Sequence, residues 1–286
     1  MAFRVEQLPA ALGARIEGLD ISLGVSESDA VAVRNALFAH QVIVLPGQSL
    51  EPGKFAAFAR IFGHPVPHVL SHLRHPEHPE ILPLSNIFED GNPTGVYDGA
   101  AYWHTDMSYE DPPGAATLVH SLMAPDVGGD TRFANMFRAY DSLEPSMKQR
   151  IDDLTVLHHY GNRTDLDETS ATSAFPLSAA QKSALKSVYH PLVRRHPATG
   201  RKALYGVSGS SFGIVGMAEQ DASSLLDELT RHATREEYVY SHRYAVGDVV
   251  VWDNYSTLHS ATPIPPATSP ADTRHLHRIS VKARLS

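Results

Sequence analysis

His104 and Asp106 stand two residues apart in the segment Trp103-His104-Thr105-Asp106. On an extended strand that spacing sends an imidazole and a carboxylate from the same face, which makes a two-point chelate for a metal ion. Far downstream, Gly247 to Asn254 reads as a buried strand that runs into Tyr255-Ser256-Thr257-Leu258-His259 and offers a second imidazole. Two histidines and one carboxylate leave coordination positions open, an arrangement that suits iron(II) taking both a bidentate cosubstrate and oxygen. The same ligand types also serve a zinc hydrolase, in which a metal-bound water attacks. The basic cluster Arg274-His275-Leu276-His277-Arg278, beginning fifteen residues past His259, favours iron. A buried guanidinium can grip a carboxylate through paired hydrogen bonds, as the far carboxylate of 2-oxoglutarate requires, and a zinc hydrolase has no need of one. Strand alternation puts Arg274, Leu276 and Arg278 on one face, so at least one guanidinium points inward.

With seventeen histidines in the chain, any single one is more often a surface or core residue than a ligand. The run HPEHPE offers two rival chelates, His75 with Glu77 and His78 with Glu80. Each is interrupted by proline, and a solvated turn is the better reading. Trp103 and Trp252 are expected in the core, and Tyr102, Phe175 and Phe212 are candidates to line a substrate pocket.

The elements that must position these groups begin with extended segments at Phe3 to Leu8 and Ala14 to Ile21. A helix is predicted from Ser26 through Ala39, with Ser26 or Ser28 as its cap, then a buried strand Val42 to Leu45 and a helix Glu51 to Phe62. From about residue 80 short strands dominate: Glu80 to Leu84, Ala116 to Leu122, Thr131 to Ala134, Thr155 to Tyr160, Leu192 to His196, Tyr238 to Arg243, Val249 to Trp252 and Ile279 to Ala283. Helices at Met136 to Asp152 and Gln220 to Ala233 would pack outside a sheet. The polar stretch Gly161 to Pro176 reads as a lid, and the Pro-rich run from Pro263 to Thr273 as a surface loop.

The pattern is mainly β with flanking helices, and 286 residues of ordinary globular composition fit one domain spanning 1–286. A formal charge of -8 opposes nucleic-acid binding, so a small-molecule partner is expected. The absence of cysteine removes disulfides, thiolate metal sites and thiol nucleophiles together. No stretch is long and apolar enough to read as a membrane span, and a cytoplasmic location is expected.

The sequence resembles the taurine and 2,4-dichlorophenoxyacetate dioxygenases (the TauD/TfdA family) that depend on iron(II) and 2-oxoglutarate. The likeness is carried by GARIEGLD, VIVLPGQ, FARIFGHP, WHTDMSYEDPPGAATL, GGDTRFANM, GDVVVWDNYSTLH and HRISV. It implies a double-stranded β-helix (jelly roll) and a dimer or tetramer. His104, Asp106 and His259 would hold iron, and Thr131 with Arg274 would bind the far carboxylate of 2-oxoglutarate, Arg278 being the alternative anchor. Arg278 and His68 would otherwise contact substrate, with His64 and His72 as rivals of His68. The implied reaction consumes 2-oxoglutarate and O2, releases succinate and CO2, and hydroxylates a substrate C–H bond. Retention of Asp106 favours hydroxylation over halogenation, because related halogenases lack this carboxylate. The residues preceding the motif, Asp98 to Tyr102, lack the Asn of the taurine enzymes, which speaks against taurine itself. An anionic organic substrate remains, a sulfonate, carboxylate or phosphonate. Two other classes stay open: a metal-dependent jelly-roll hydrolase or isomerase, and a non-catalytic 2-oxoglutarate sensor.

Overall fold

The computed structural model describes residues 3–97, 101–160 and 186–284. The stretch expected as a lid, Phe175, and Asp98 to Ala100 lie outside the described residues.

The VIVL run forms the strand Val42–Leu45 with every side chain buried. Its continuous apolar character has a direct cause, since both faces of the sheet it joins are covered. In that sheet Arg4–Gln7, Ala14–Glu17, Val42–Leu45, Val249–Asp253, Gly114–Met123 and His275–Lys282 lie side by side in this order. The outer edge of His275–Lys282 is shared by Leu82–Ser85 and His64–Val66. One face carries Ile43, Leu45, Leu118, Val251 and Ile279 against Leu37, Phe55 and Phe58 of the helices Glu27–His40 and Pro52–Ala59. The other carries Val44, Val119, Val250 and Trp252 toward Phe133 of a second, three-stranded sheet.

That second sheet runs Val239–His242, Thr131–Asn135, Thr257–Ala261, all antiparallel. Phe133 and Trp252 meet with ring centroids 5.3 Å apart, so the two sheets share a core. A further sheet of Val188–Pro191, Thr155–His158 and Ser211–Ile214, together with the helices Met136–Asp141 and Glu219–Ala233, closes a second apolar cluster. The framework is mostly β with few helices.

Most predicted elements appear within a few residues of their expected ends. Ser26 caps the first helix, its side chain accepting from the Asp29 backbone N–H. The single helix expected over Met136 to Asp152 is instead two, Met136–Asp141 and Pro145–Ile151. Pro145 has no N–H to continue a helix and takes the first turn of a new one.

Candidate metal centre

His104 does not lie on a regular strand. It forms a single antiparallel rung with His259, each backbone N–H donating to the other's carbonyl at 2.9 and 2.8 Å. Residues that face each other across such a rung send their side chains to one side, and the two imidazole centroids are 4.0 Å apart. After His104 the chain turns. The buried Thr105 hydroxyl donates to the Asn254 carbonyl at 2.8 Å, and Met107 adopts a φ of 56°. Asp106 therefore reaches the imidazoles by a turn, where strand pleating was expected. Two glycines make room: a Cβ on Gly114 would lie 2.8 Å from the Asp106 carbonyl oxygen, and one on Gly209 would lie 2.7 Å from His104 Cβ.

Ligand atoms of His104, Asp106 and His259 all fall within 4.8 Å of one another. Asp106 Oδ1 is 3.8 Å from His104 Nε2, and Asp106 Oδ2 is 3.6 Å from His259 Nε2. His104 Nδ1 lies 3.1 Å from the Tyr102 carbonyl, which fixes the proton there and leaves the Nε2 lone pair toward Asp106. The His259 ring is packed by Trp252 at 4.8 Å.

Burial lowers the pKa of both imidazoles, so they are neutral donors. Burial alone would raise Asp106, yet the charge of Arg278 and a hydrogen bond from Thr117 hold it well below the usual carboxylate range. Two neutral imidazoles and one ionised carboxylate converging in a buried site fit a divalent first-row ion such as iron(II).

The two arginines of the basic cluster part company. Arg278, on His275–Lys282, brings Nη1 within 3.4 Å of Asp106 Oδ1. Arg274, just before that strand, is buried and donates to the carbonyls of Gly129 and Tyr97 at 3.4 and 3.2 Å. Thr131 opens a strand of the second sheet, and its hydroxyl lies 2.9 Å from that of Tyr244. Tyr244 is raised to about 12 by burial, a rise that the Thr131 hydrogen bond and the charge of Arg274 oppose.

His68 and Arg278 line one pocket with Val66, Leu82, Met107 and Tyr109. Burial, reinforced by Arg278, lowers His68 to about 3, and its Nδ1 accepts from the Leu70 backbone at 3.2 Å. The imidazole is thus neutral with its proton on Nε2. His64 and His72 do not line this pocket. In the HPEHPE run His75 Nδ1 accepts from the backbone of Glu77 and His78, as in a turn, and His78 Nδ1 lies 4.0 Å from Glu80 Oε1, but among the described residues neither pair belongs to a three-donor cluster.

The structure adds residues that the sequence reading missed. Thr117 bonds Asp106, Asn254 bonds Thr117, Tyr244 joins Thr131, and Tyr109 packs on Tyr160 with centroids 4.8 Å apart. Strand parity carried a signal for one of them, because Thr117 shares with Val119 the face of Gly114–Met123 that looks toward the second sheet.

A buried two-histidine, one-carboxylate cluster on a mostly β framework is a candidate centre for one metal ion. The profile of the taurine catabolism dioxygenase TauD, TfdA family matches residues 4–280, and the chain belongs to that family of dioxygenases. Pentalenolactone F synthase of Streptomyces arenae is 34% identical over 92% of this chain and 91% of its own. The alpha-ketoglutarate-dependent 2,4-dichlorophenoxyacetate dioxygenase of Cupriavidus pinatubonensis is 30% identical over 91% and 92%. Among solved structures, AAD-2 in complex with Mn(II) and N-oxalylglycine superposes with a TM-score of 0.79 at 27% identity, covering 98% of this chain and 97% of that one.

Proposed function

We propose that this dioxygenase hydroxylates a C–H bond of a small anionic organic acid, a sulfonate, an aryloxy or alkyl carboxylate, or a phosphonate. His104, Asp106 and His259 are its metal ligands. The observation that carries the reading is the convergence of those three groups beside a pocket holding Arg278 and His68. The two packed sheets are read as a jelly roll and residues 1–286 as one domain.

Iron(II) with 2-oxoglutarate and O2 supplies the oxidative chemistry, in which the cosubstrate becomes succinate and CO2 while one oxygen atom enters the substrate C–H bond. The chain's own residues bind and aim. Arg274 and Thr131 hold the far carboxylate of 2-oxoglutarate, with Arg274 buried so that its charge acts at low dielectric. Arg278 and the Nε2–H of neutral His68 bind the anionic head of the substrate. The apolar walls Val66, Leu82 and Met107 exclude water and hold the target carbon against the metal face. Where the hydroxylated carbon also bears sulfur or oxygen, the product collapses to a carbonyl compound and expels that group with C–S or C–O cleavage.

The test is aerobic incubation with iron(II), ascorbate, 2-oxoglutarate and a panel of sulfonates, aryloxy acids and phosphonates. Succinate formation above the enzyme-free control is expected with at least one of them. Oxygen-independent turnover with zinc would favour the hydrolase or isomerase reading instead, and tight 2-oxoglutarate binding without decarboxylation on admitting air would favour a sensor.

A further inference from the structure

The inward-facing hydroxyl of Thr117 sits 2.7 Å from Asp106 Oδ2, at full burial in the middle of the long strand Gly114–Met123. Two other groups reach the same hydroxyl: Asn254 Nδ2 at 3.0 Å and Ser280 Oγ at 3.2 Å. These contacts settle where the Thr117 proton lies. An amide nitrogen can only donate, so Asn254 fills one lone pair of the Thr117 oxygen. An ionised carboxylate can only accept, so the single Thr117 proton must point at Asp106, and Ser280 donates into what remains. With the Asn254 amide rotated, two acceptors would compete for the one Thr117 proton, and one of these short oxygen–oxygen contacts would be left without a hydrogen.

Asn254 is itself held from both sides. Its backbone N–H donates to the Ala115 carbonyl at 3.0 Å, beside Thr117, and its carbonyl accepts from Thr105, beside Asp106. It therefore ties the strand beneath the site to the turn that carries the carboxylate. Arg278 approaches the other carboxylate oxygen, Oδ1, at 3.4 Å. With one partner on each oxygen, rotation of the carboxylate about its last bond is restrained.

We propose that Thr117 is a positioning residue for Asp106, using a proton directed by Asn254 to hold the carboxylate in a single orientation for metal binding. The inference rests on Asp106 being a metal ligand. A carboxylate held in this way presents its oxygens to a metal in one fixed attitude. One free to rotate could chelate through both and take up a position that cosubstrate or oxygen needs.

The test uses Mn(II) binding to the full chain, measured from the EPR signal of the free ion, with the fold of each variant checked by circular dichroism. T117V keeps the shape and removes the proton, and its Mn(II) affinity is expected to fall by about 10- to 100-fold. T117S keeps the proton and loses a methyl group, and is expected to retain wild-type affinity. A packing role would invert this ranking, so T117S weaker than T117V overturns the proposal. If T117V does not fold, T117A takes its place, because it differs from T117S by the hydroxyl alone. Equal affinities for T117A and T117S likewise overturn it. D106A separates this inference from its foundation. Loss of Mn(II) binding in D106A with none in T117V rejects the positioning role and keeps the ligand, whereas wild-type binding in D106A rejects both.

Discussion

Arg274 and Arg278 come from one short cluster yet serve different neighbours, and their variants should separate cleanly. Arg274 is buried beside Gly129 and Tyr97, near Tyr244 and Thr131, whereas Arg278 faces Asp106 and the pocket of His68. Replacing Arg274 by Gln removes a charge-assisted interaction of roughly 1.5–3 kcal/mol, so the KM for 2-oxoglutarate should rise roughly 10- to 100-fold. Replacing Arg278 by Gln should leave that KM near wild type and raise the KM for the anionic substrate. Steady-state succinate formation with each component varied in turn measures both, and equal effects of the two variants on 2-oxoglutarate would contradict the assignment. Sequence alone could not divide these roles. Alternation says that both guanidiniums share a face, but not that one reaches the Gly129 carbonyl while the other reaches Asp106.

At the scale of elements, the parts legible in advance were those governed by local periodicity. The VIVL and VVVWD strands, the Ser26-capped helix and the helix Glu219–Ala233 follow from apolar spacing and capping, which neighbouring residues decide. The strand Thr257–Ala261 was not anticipated, because its Thr and Ser look like turn residues until Thr131–Asn135 pairs with them. Nor could the sequence reveal the rung between His104 and His259, since such a pairing has no local pattern. The candidate metal ligands were legible as residue types at a given spacing, while the turn that brings Asp106 to the two imidazoles was not. That turn depends on close approach, which gives Gly209 its role: its φ is 80°, and a side chain there would press on His104. Gly209→Ala should lower unfolding free energy by about 1–3 kcal/mol and weaken Mn(II) binding together. A denaturant melt paired with a metal titration checks it, and undiminished metal affinity would show that His104 tolerates the contact.

Across the whole molecule, buried neutral histidines should make the fold less stable in acid. His277 is buried on the same face of His275–Lys282 as Ile279, with ring centroids 5.4 Å from His275 and 5.7 Å from His75. Burial, then the neighbouring His275, His75 and His120, lowers it to about 4. Its folded pKa is below its unfolded value of about 6.5, so between those values the unfolded chain binds the proton first. Stability from this group is complete above pH 6.5 and declines as the pH falls toward 4, by ~2 kcal/mol on reaching pH 5. Urea midpoints from pH 7 to pH 5 should show the decline, and H277F should flatten it; an unchanged slope in that variant would assign the effect elsewhere. The rung between His104 and His259 also has a meaning in time. More than half of the chain separates Asp106 from His259. If His104, Asp106 and His259 hold the metal, the full donor set exists only once the late strands have paired with the early segment, so metal binding should be coupled to folding of the C-terminal strands.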